Sequence, residues 1–198
     1  MKPSRIILFA ACLIPLALLV YKGATNGLGA NPVEAVIRNL GDWGLRFLLI
    51  TLAVTPVRIL TGVNSLAQYR RMLGLFAFFY VTLHLLTFFV ADLSGSFAAL
   101  WKEVVKRQFI TAGMAAFLIL VPLAATSVNR AIKWMGAARW KKLHRGIYIA
   151  APLAVLHYYW MAKADKTEPW IYAAILAALL LFRAYRLTIG KNTVKPSP

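Results

Sequence analysis

Three histidines carry most of the chemical information in this sequence. His84 lies within the apolar run LGLFAFFYVTLHLLTFF, His144 in WKKLHRGIYIA and His157 in PLAVLHYYW. A neutral imidazole is the commonest metal ligand in proteins, and an ionisable side chain within a membrane marks a functional site by default. The alternative is an imidazole that hydrogen-bonds to a backbone carbonyl or a hydroxyl between helices. Which of the two applies depends on the elements that hold these side chains.

The composition predicts that those elements are membrane-spanning helices. Of the 198 residues, 61% are hydrophobic and only 15% are charged, and the mean hydropathy is +0.67. Soluble domains are about 45–50% apolar and about 25% charged. Six helical crossings of roughly 20 residues each would use most of the chain. We therefore expect one transmembrane domain over residues 1–190, a polar cytoplasmic tail over 191–198 and no attached flavin or nucleotide module.

The distribution of charge predicts how this all-α, six-helix bundle is oriented. With both termini in the cytoplasm, 15 of the Lys and Arg residues lie inside, whereas 8 lie outside together with all six acidic residues. This asymmetry follows the positive-inside rule. The apolar runs place the six spans near Ile6–Tyr21, Trp43–Leu60, Leu73–Leu93, Phe109–Thr126, Leu143–Ala162 and Trp170–Phe182.

The net charge of +17 is therefore interpreted as a topology signal and a surface for anionic lipid, not as a nucleic-acid site. The first apolar run could also be read as a secretory signal peptide, but no A-x-A cleavage site follows promptly, and we expect it to be retained as a helix. The lone Cys12 cannot form a disulfide within the chain. No internal repeat is evident.

Counting along the spans places two of the histidines at the same depth. His84 lies 13 residues beyond Arg71, and His157 lies 12 beyond Arg145. At 1.5 Å per residue, both are about 18–20 Å from the inner membrane boundary. Spans three and five run in the same direction, so two imidazoles at one depth can bind a haem iron from both sides. We predict a haem between these two spans.

His144 suggests a second haem but lacks a matching partner. It lies 13 residues before His157, a rise of about 20 Å, and the residue at the same level of span three is Arg71. An inner site is therefore completed by some other residue, ligated by the protein on one side only, or not a haem site. The protein would carry one haem or two.

Several segments resemble one bacterial membrane family. They are GLGANPVE at 27–34, ITLAVTP at 50–56, RRMLGL at 70–75, YVTLHL at 80–85 and KLHRGIYIAAPLAVLHYYW at 142–160. With the short length and the order of the histidines, they are similar to the MsrQ family, within the ferric-reductase-like transmembrane superfamily.

The resemblance implies a multi-pass protein of the bacterial inner membrane that binds haem b, with His84, His144 and His157 as candidate iron ligands. It also implies electrons from the quinone pool, FMN as a further cofactor, and delivery to MsrP, a periplasmic molybdopterin enzyme that reduces methionine sulfoxide in oxidised proteins. The chain would then be a non-catalytic electron-transfer subunit, with its partner docking on outer loops 22–42, 94–108 and 163–169.

Two other functional classes share many of these features. One is a membrane ferric reductase, or another b-type cytochrome, fed by a separate flavin reductase. The other is a membrane anchor or transporter without haem. Two histidines lie at the same depth, and the sequence places no carboxylate within the membrane along a path for protons. Both features favour haem binding over transport.

Overall fold

The computed structural model describes residues 3–192, apart from the side chains of residues 187 and 189–192. Within this part the chain forms α-helices joined by short turns and no strand. The predicted polar tail lies outside the described residues from position 193 onward. The helices are α1 (Pro3–Ala24), α2 (Pro32–Thr61), α3 (Arg70–Thr87), α4 (Phe97–Lys106), α5 (Gln108–Ala125), α6 (Asn129–Met135), α7 (Ala137–His144), α8 (Ile147–Met161) and α9 (Thr167–Asn192).

Five described segments are long and apolar enough to cross a membrane: Pro3–Ala24, Pro32–Thr61, Asn64–Asp92, Gln108–Ala125 and Thr167–Arg186. They coincide with five of the six predicted spans, so the prediction of an all-helical, multi-pass membrane protein is confirmed. The remaining predicted span, Leu143–Ala162, corresponds to α8, which has 15 residues. A helix of that length rises about 22 Å, less than the roughly 30 Å of a hydrocarbon core.

Helix α2 begins well before its predicted boundary. Asn31 caps the helix by accepting a hydrogen bond from the backbone N–H of Glu34, and Pro32 occupies the first turn, where a missing N–H costs nothing. Glu34 and Arg38 then form an ion pair one turn apart at 2.6 Å. The prediction of a loop over 22–42 is therefore wrong for residues 32–42, because a capping signal outweighs low local hydrophobicity.

Two helix pairs form the centre of the bundle. Helix α2 packs along α3, and α5 packs along α8. The pairs meet where α3 contacts α5 and α2 contacts α8. Phe78 of α3 and Phe117 of α5 stack there, with ring centroids 5.7 Å apart and planes inclined by 11°. Helix α1 covers the first pair, and α9 packs against α2 and α8.

A half-buried arginine supplies a hydrogen bond that α2 lacks. Pro56 has no N–H to donate, so the Leu52 carbonyl one turn earlier lacks its helical partner. The Arg183 guanidinium of α9 donates to this carbonyl and to that of Leu179, and it lies 5.7 Å from the ring centroid of Tyr148. An unpaired carbonyl in the bundle therefore holds this guanidinium, which does not extend to the lipid headgroups.

A buried tyrosine inserts into the backbone hydrogen bonds of α1. This helix continues through Pro15, and the Tyr80 hydroxyl lies between the backbone groups of Cys12 and Leu16. The hydroxyl donates to the Cys12 carbonyl at 2.8 Å and accepts from the Leu16 N–H at 3.1 Å. Tyr80 is fully buried. A side chain inserted into the hydrogen-bond ladder of a helix is a known cause of kinks, and here it also fastens α1 to α3.

We expect Tyr80→Phe to destabilise the bundle by about 1–3 kcal/mol, because a buried N–H and a buried carbonyl both lose their partner. Reversible unfolding in mixed detergent and dodecyl sulfate measures the change. Tyr21→Phe is the control, since Tyr21 lies on α1, the helix that the Tyr80 hydroxyl contacts, and its own side chain is exposed. Equal stability of the two variants would show that the Leu16 N–H of α1 bonds directly to the Cys12 carbonyl when the Tyr80 hydroxyl is absent.

The loop between the third and fourth spans contains an amphipathic helix. Ser96 caps α4, and three large apolar side chains, Phe97, Trp101 and Val105, follow each other at intervals of four residues. They are 76%, 71% and 68% exposed. An apolar stripe with Trp and Phe beside Lys and Glu is typical of a helix that lies in the membrane interface. The predicted loop 94–108 is thus largely helical.

Candidate functional site

The structure brings His84 and His157 together at the contact between the two helix pairs. Their ring centroids are 6.2 Å apart, and the ring planes are inclined by 79°. Two metal–imidazole bonds of about 2 Å each separate the nitrogens by about 4 Å, and half a ring on either side brings the centroids to about 6 Å. The measured separation therefore suits two axial ligands of one iron.

Hydrogen bonds set the orientation of both rings. The Nδ1–H of His84 donates to the Ile37 carbonyl on α2 at 2.8 Å. The Nδ1–H of His157 donates to the Phe109 carbonyl on α5 at 2.6 Å. A carbonyl can only accept, so Nδ1 carries the proton in each ring. Each Nε2 then keeps its lone pair, as in metal sites whose histidines bond to a backbone carbonyl through the other nitrogen.

Both rings line a cavity of about 990 Å³ between α2, α3, α5, α8 and the beginning of α9. This volume lies at the upper end of the roughly 300–1,000 Å³ seen for cofactor sites. The deep wall is apolar and includes Leu48, Phe117 and Leu120. The cavity can therefore hold a large flat cofactor against a mostly hydrophobic surface. The two ligands, their tautomers and the space between the helices all fit a haem.

The opposite end of the cavity is charged. It lies where α2 and α9 begin and where α3 and α8 end. His84 lies three residues before the end of α3, and His157 lies four residues before the end of α8, so the ring pair lies about one helical turn below this rim. The charged lining residues at the rim are Glu34, Arg38, Asp42, Asp92, Arg107, Lys163, Asp165 and Glu168.

Some charges of the rim are neutralised locally. Arg107 pairs with Glu103 of α4 at 2.6 Å, as Arg38 pairs with Glu34. Hydrogen bonds from the side chain and backbone N–H of Thr167 hold the pKa of Asp165 below its ordinary value, so this carboxylate is ionised at neutral pH. Acidic groups nevertheless outnumber basic groups among the lining residues.

Polar side chains beside His157 form hydrogen bonds that connect α8 and α2 to α9. The Tyr158 hydroxyl donates to the Glu168 carboxylate at 2.6 Å, and Arg46 donates to the Tyr172 hydroxyl at 2.8 Å. The sequence does not predict these hydrogen bonds. The only available signal was a tyrosine directly after a candidate ligand, which is common in any membrane helix.

His144 lies apart from the other two histidines and does not line the cavity. Its Nδ1 is 3.0 Å from the Trp140 carbonyl and its Nε2 is 3.2 Å from the Leu123 carbonyl. The ring also stacks on Trp140 with centroids 3.8 Å apart. The described geometry therefore directs both nitrogens of His144 to backbone oxygens of α7 and α5.

Comparison with known proteins places the chain in a family. Residues 40–155 match the ferric reductase like transmembrane component. Three relatives are each named protein-methionine-sulfoxide reductase heme-binding subunit MsrQ. The one from Polaromonas naphthalenivorans is 50% identical over 92% of this chain and 84% of its own length. The one from Caulobacter vibrioides is 46% identical over 99% and 95%, and the one from Rhodospirillum rubrum is 52% identical over 91% and 86%.

This chain belongs to the MsrQ family. The resemblance seen in the sequence is thereby confirmed. No solved structure matches the chain. The match to the ferric reductase like component begins next to Gly41, includes His84 and His144, and ends two residues before His157. The described fold therefore extends beyond that match at both ends, with α1, the start of α2, the end of α8 and all of α9 outside it.

Proposed function

We propose that this chain is the haem-binding electron-transfer subunit of a protein-methionine-sulfoxide reductase system. The observation that carries the proposal is the facing pair His84 and His157. Both rings are held by Nδ1–H bonds to helix carbonyls, both present Nε2, and both line a cavity large enough for haem. The relatives are named as heme-binding subunits of such a reductase, which supports the same function.

In this proposal, α3 and α8 hold a haem b between them. When bound, haem iron supplies one-electron exchange, and two axial imidazoles leave it no open position. His84 and His157 provide those ligands, while the carbonyls of Ile37 and Phe109 maintain their tautomer and ring angle. The apolar wall excludes water from the ligands. Sulfoxide reduction would then occur on another subunit.

The direction of transfer follows from the proposed topology. We propose six spans in the bacterial inner membrane, with both termini in the cytoplasm and the charged rim of the cavity facing the periplasm. Electrons would come from the quinone pool and leave through the rim to MsrP. The docking surface would combine the connection before α2, the connection containing α4 and the connection between α8 and α9.

Three finer points belong to the same proposal. FMN as a further cofactor and quinone as the donor are supported by family resemblance, not by the geometry of the cavity. A second haem at His144 would require its ring to leave the carbonyls of Trp140 and Leu123. The single-domain organisation over residues 1–190 agrees with one continuous helical bundle in the part that the structure describes.

Reduced-minus-oxidised spectroscopy of the purified protein, with pyridine haemochrome quantification, tests the proposal. We expect a low-spin b-type spectrum that a quinol analogue reduces. Addition of MsrP with methionine sulfoxide should reoxidise it, whereas either component alone should not. A folded wild-type protein without haem would overturn the proposal.

A membrane ferric reductase is the second candidate, favoured by the match to the ferric reductase like component. Ferric citrate added to the reduced protein distinguishes the two functions. Rapid reoxidation by ferric citrate without MsrP would favour the ferric reductase, and dependence on MsrP and methionine sulfoxide together would favour the electron-transfer subunit.

A further inference from the structure

A glycine lies against each ring of the histidine pair. A Cβ atom added to Gly113 of α5 would lie 2.7 Å from the Nδ1 of His157 and 3.0 Å from its Cε1. A Cβ added to Gly41 of α2 would lie 3.0 Å from the Nδ1 of His84 and 3.2 Å from its Cε1. Carbon and nitrogen in ordinary contact are about 3.5 Å apart or more. Each imidazole therefore occupies space that any other residue would fill.

Both glycines have the same relation to the carbonyl that their histidine uses. Gly41 follows Ile37 by four residues, and Gly113 follows Phe109 by four. In an α-helix, a side chain points back towards the N-terminus and covers the turn before its own Cα. A side chain at position 41 or 113 would thus cover the carbonyl that now accepts an Nδ1–H bond. Glycine leaves this carbonyl open.

The two arrangements also repeat along the chain. His84 comes 47 residues after Ile37, and His157 comes 48 residues after Phe109. The first set lies on the pair α2–α3 and the second on α5–α8. The same three parts, a carbonyl, a glycine one turn later and a histidine on the adjacent helix, occur in the same order. Only these three positions are equivalent in the two halves, so the arrangement is not accompanied by a repeat in the sequence.

We propose that Gly41 and Gly113 are positioning residues for the two axial ligands. Each glycine admits the imidazole to the carbonyl one turn earlier, which sets the Nδ1–H tautomer, the ring angle and the basicity of Nε2. This inference depends on the proposed haem between His84 and His157. Loss of such an outer-shell hydrogen bond typically weakens metal binding about 10–100-fold.

The variants Gly113→Ala and Gly41→Ala test this role. We expect Gly113→Ala to raise the haem dissociation constant by about 10-fold or more and to shift both the low-spin electron paramagnetic resonance signal and the midpoint potential. Gly41→Ala should shift them in the same sense by less, since its Cβ meets the ring at 3.0 Å instead of 2.7 Å. If Gly113→Ala does not fold, the milder variant still tests the role.

Gly74→Ala is the matched control. Gly74 lies inside α3, and a Cβ there meets only the Cγ2 of Thr51, at an ordinary 3.5 Å. Alanine is the better helix former at all three positions, so a loss at Gly41 and Gly113 cannot come from helix propensity. The control should keep the affinity, signal and potential of the wild type.

The outcomes separate this inference from the proposed function. If the wild type binds low-spin haem and both Gly→Ala variants match Gly74→Ala in affinity, signal and potential, the positioning role is wrong and the haem site stands. If all three variants lose haem equally, the effect is general packing, and the positioning role is again wrong. A folded wild type without haem overturns both.

Discussion

His157→Ala is expected to abolish the low-spin b-type spectrum, and His84→Ala is expected to do the same. The two rings are 6.2 Å apart on α8 and α3, so each can supply one of two bonds to a single iron. Alanine removes one bond and leaves a gap in the cavity wall that the helices, fixed by their other contacts, cannot close. Methionine-sulfoxide reduction by MsrP with quinol as the donor should fall to background in both variants.

His144→Ala is the matched control for that experiment. The same change of residue type occurs outside the cavity, where the two ring nitrogens lie 3.0 Å and 3.2 Å from the carbonyl oxygens of Trp140 and Leu123. We expect it to keep the low-spin spectrum that depends on His84 and His157. Pyridine haemochrome decides the number of haems, since a content halved relative to wild type would assign a second haem to His144. Retention of the low-spin spectrum in His84→Ala or His157→Ala would contradict the proposed site.

Cysteine labelling near the start of α7 and just after the end of α8 is expected to show that these two positions lie on opposite sides of the membrane. In a Cys12→Ala background, a membrane-impermeant maleimide added to spheroplasts should label Ala164→Cys and leave Ala138→Cys unlabelled. Both positions are exposed. Permeabilised membranes should allow both to react, which controls for reactivity. Labelling of both positions in intact spheroplasts would show that α8 does not cross.

The physical reason to expect a crossing is the position of α8 beside α3. Both helices contribute a histidine to one site, and the residues that follow them, Asp92 and Lys163, line the same rim. A helix that runs parallel to a spanning helix, with matching ends, spans the same layer. Although α8 has only 15 residues, only two residues separate the end of α7 at His144 from the start of α8 at Ile147, so helical chain continues beyond the start of α8.

Much of the site could be predicted from the sequence because helix rise and membrane thickness are nearly constant. A residue count from a basic edge therefore measures depth. His84 and His157 come out level by this count, and the structure places their rings side by side. The boundaries of α2 and α4 could not be predicted from hydropathy, because capping by Asn31 and Ser96 extends helices through segments of mixed polarity.

His144 shows where counting along a helix stops being informative. Its depth suggested a second iron ligand, but depth does not specify which way a ring points. The nearest acceptors do so, and here they are two backbone carbonyls. The same holds for Arg183, whose target is the carbonyl left without a partner by Pro56. Such partners belong to other helices and cannot be read from the local sequence.

By itself, the sequence determined the class of protein and the common depth of two histidines, and it predicted the orientation of the helices from their charge. It could do so because these properties depend on composition, spacing and the fixed geometry of a helix in a membrane. Only the tertiary structure decided which helices meet, that Tyr80 enters the ladder of α1, and that Gly41 and Gly113 make room for the imidazoles. These features depend on contacts between residues far apart in the chain. Every residue has a backbone carbonyl, so the sequence cannot show which carbonyl accepts a hydrogen bond from a side chain.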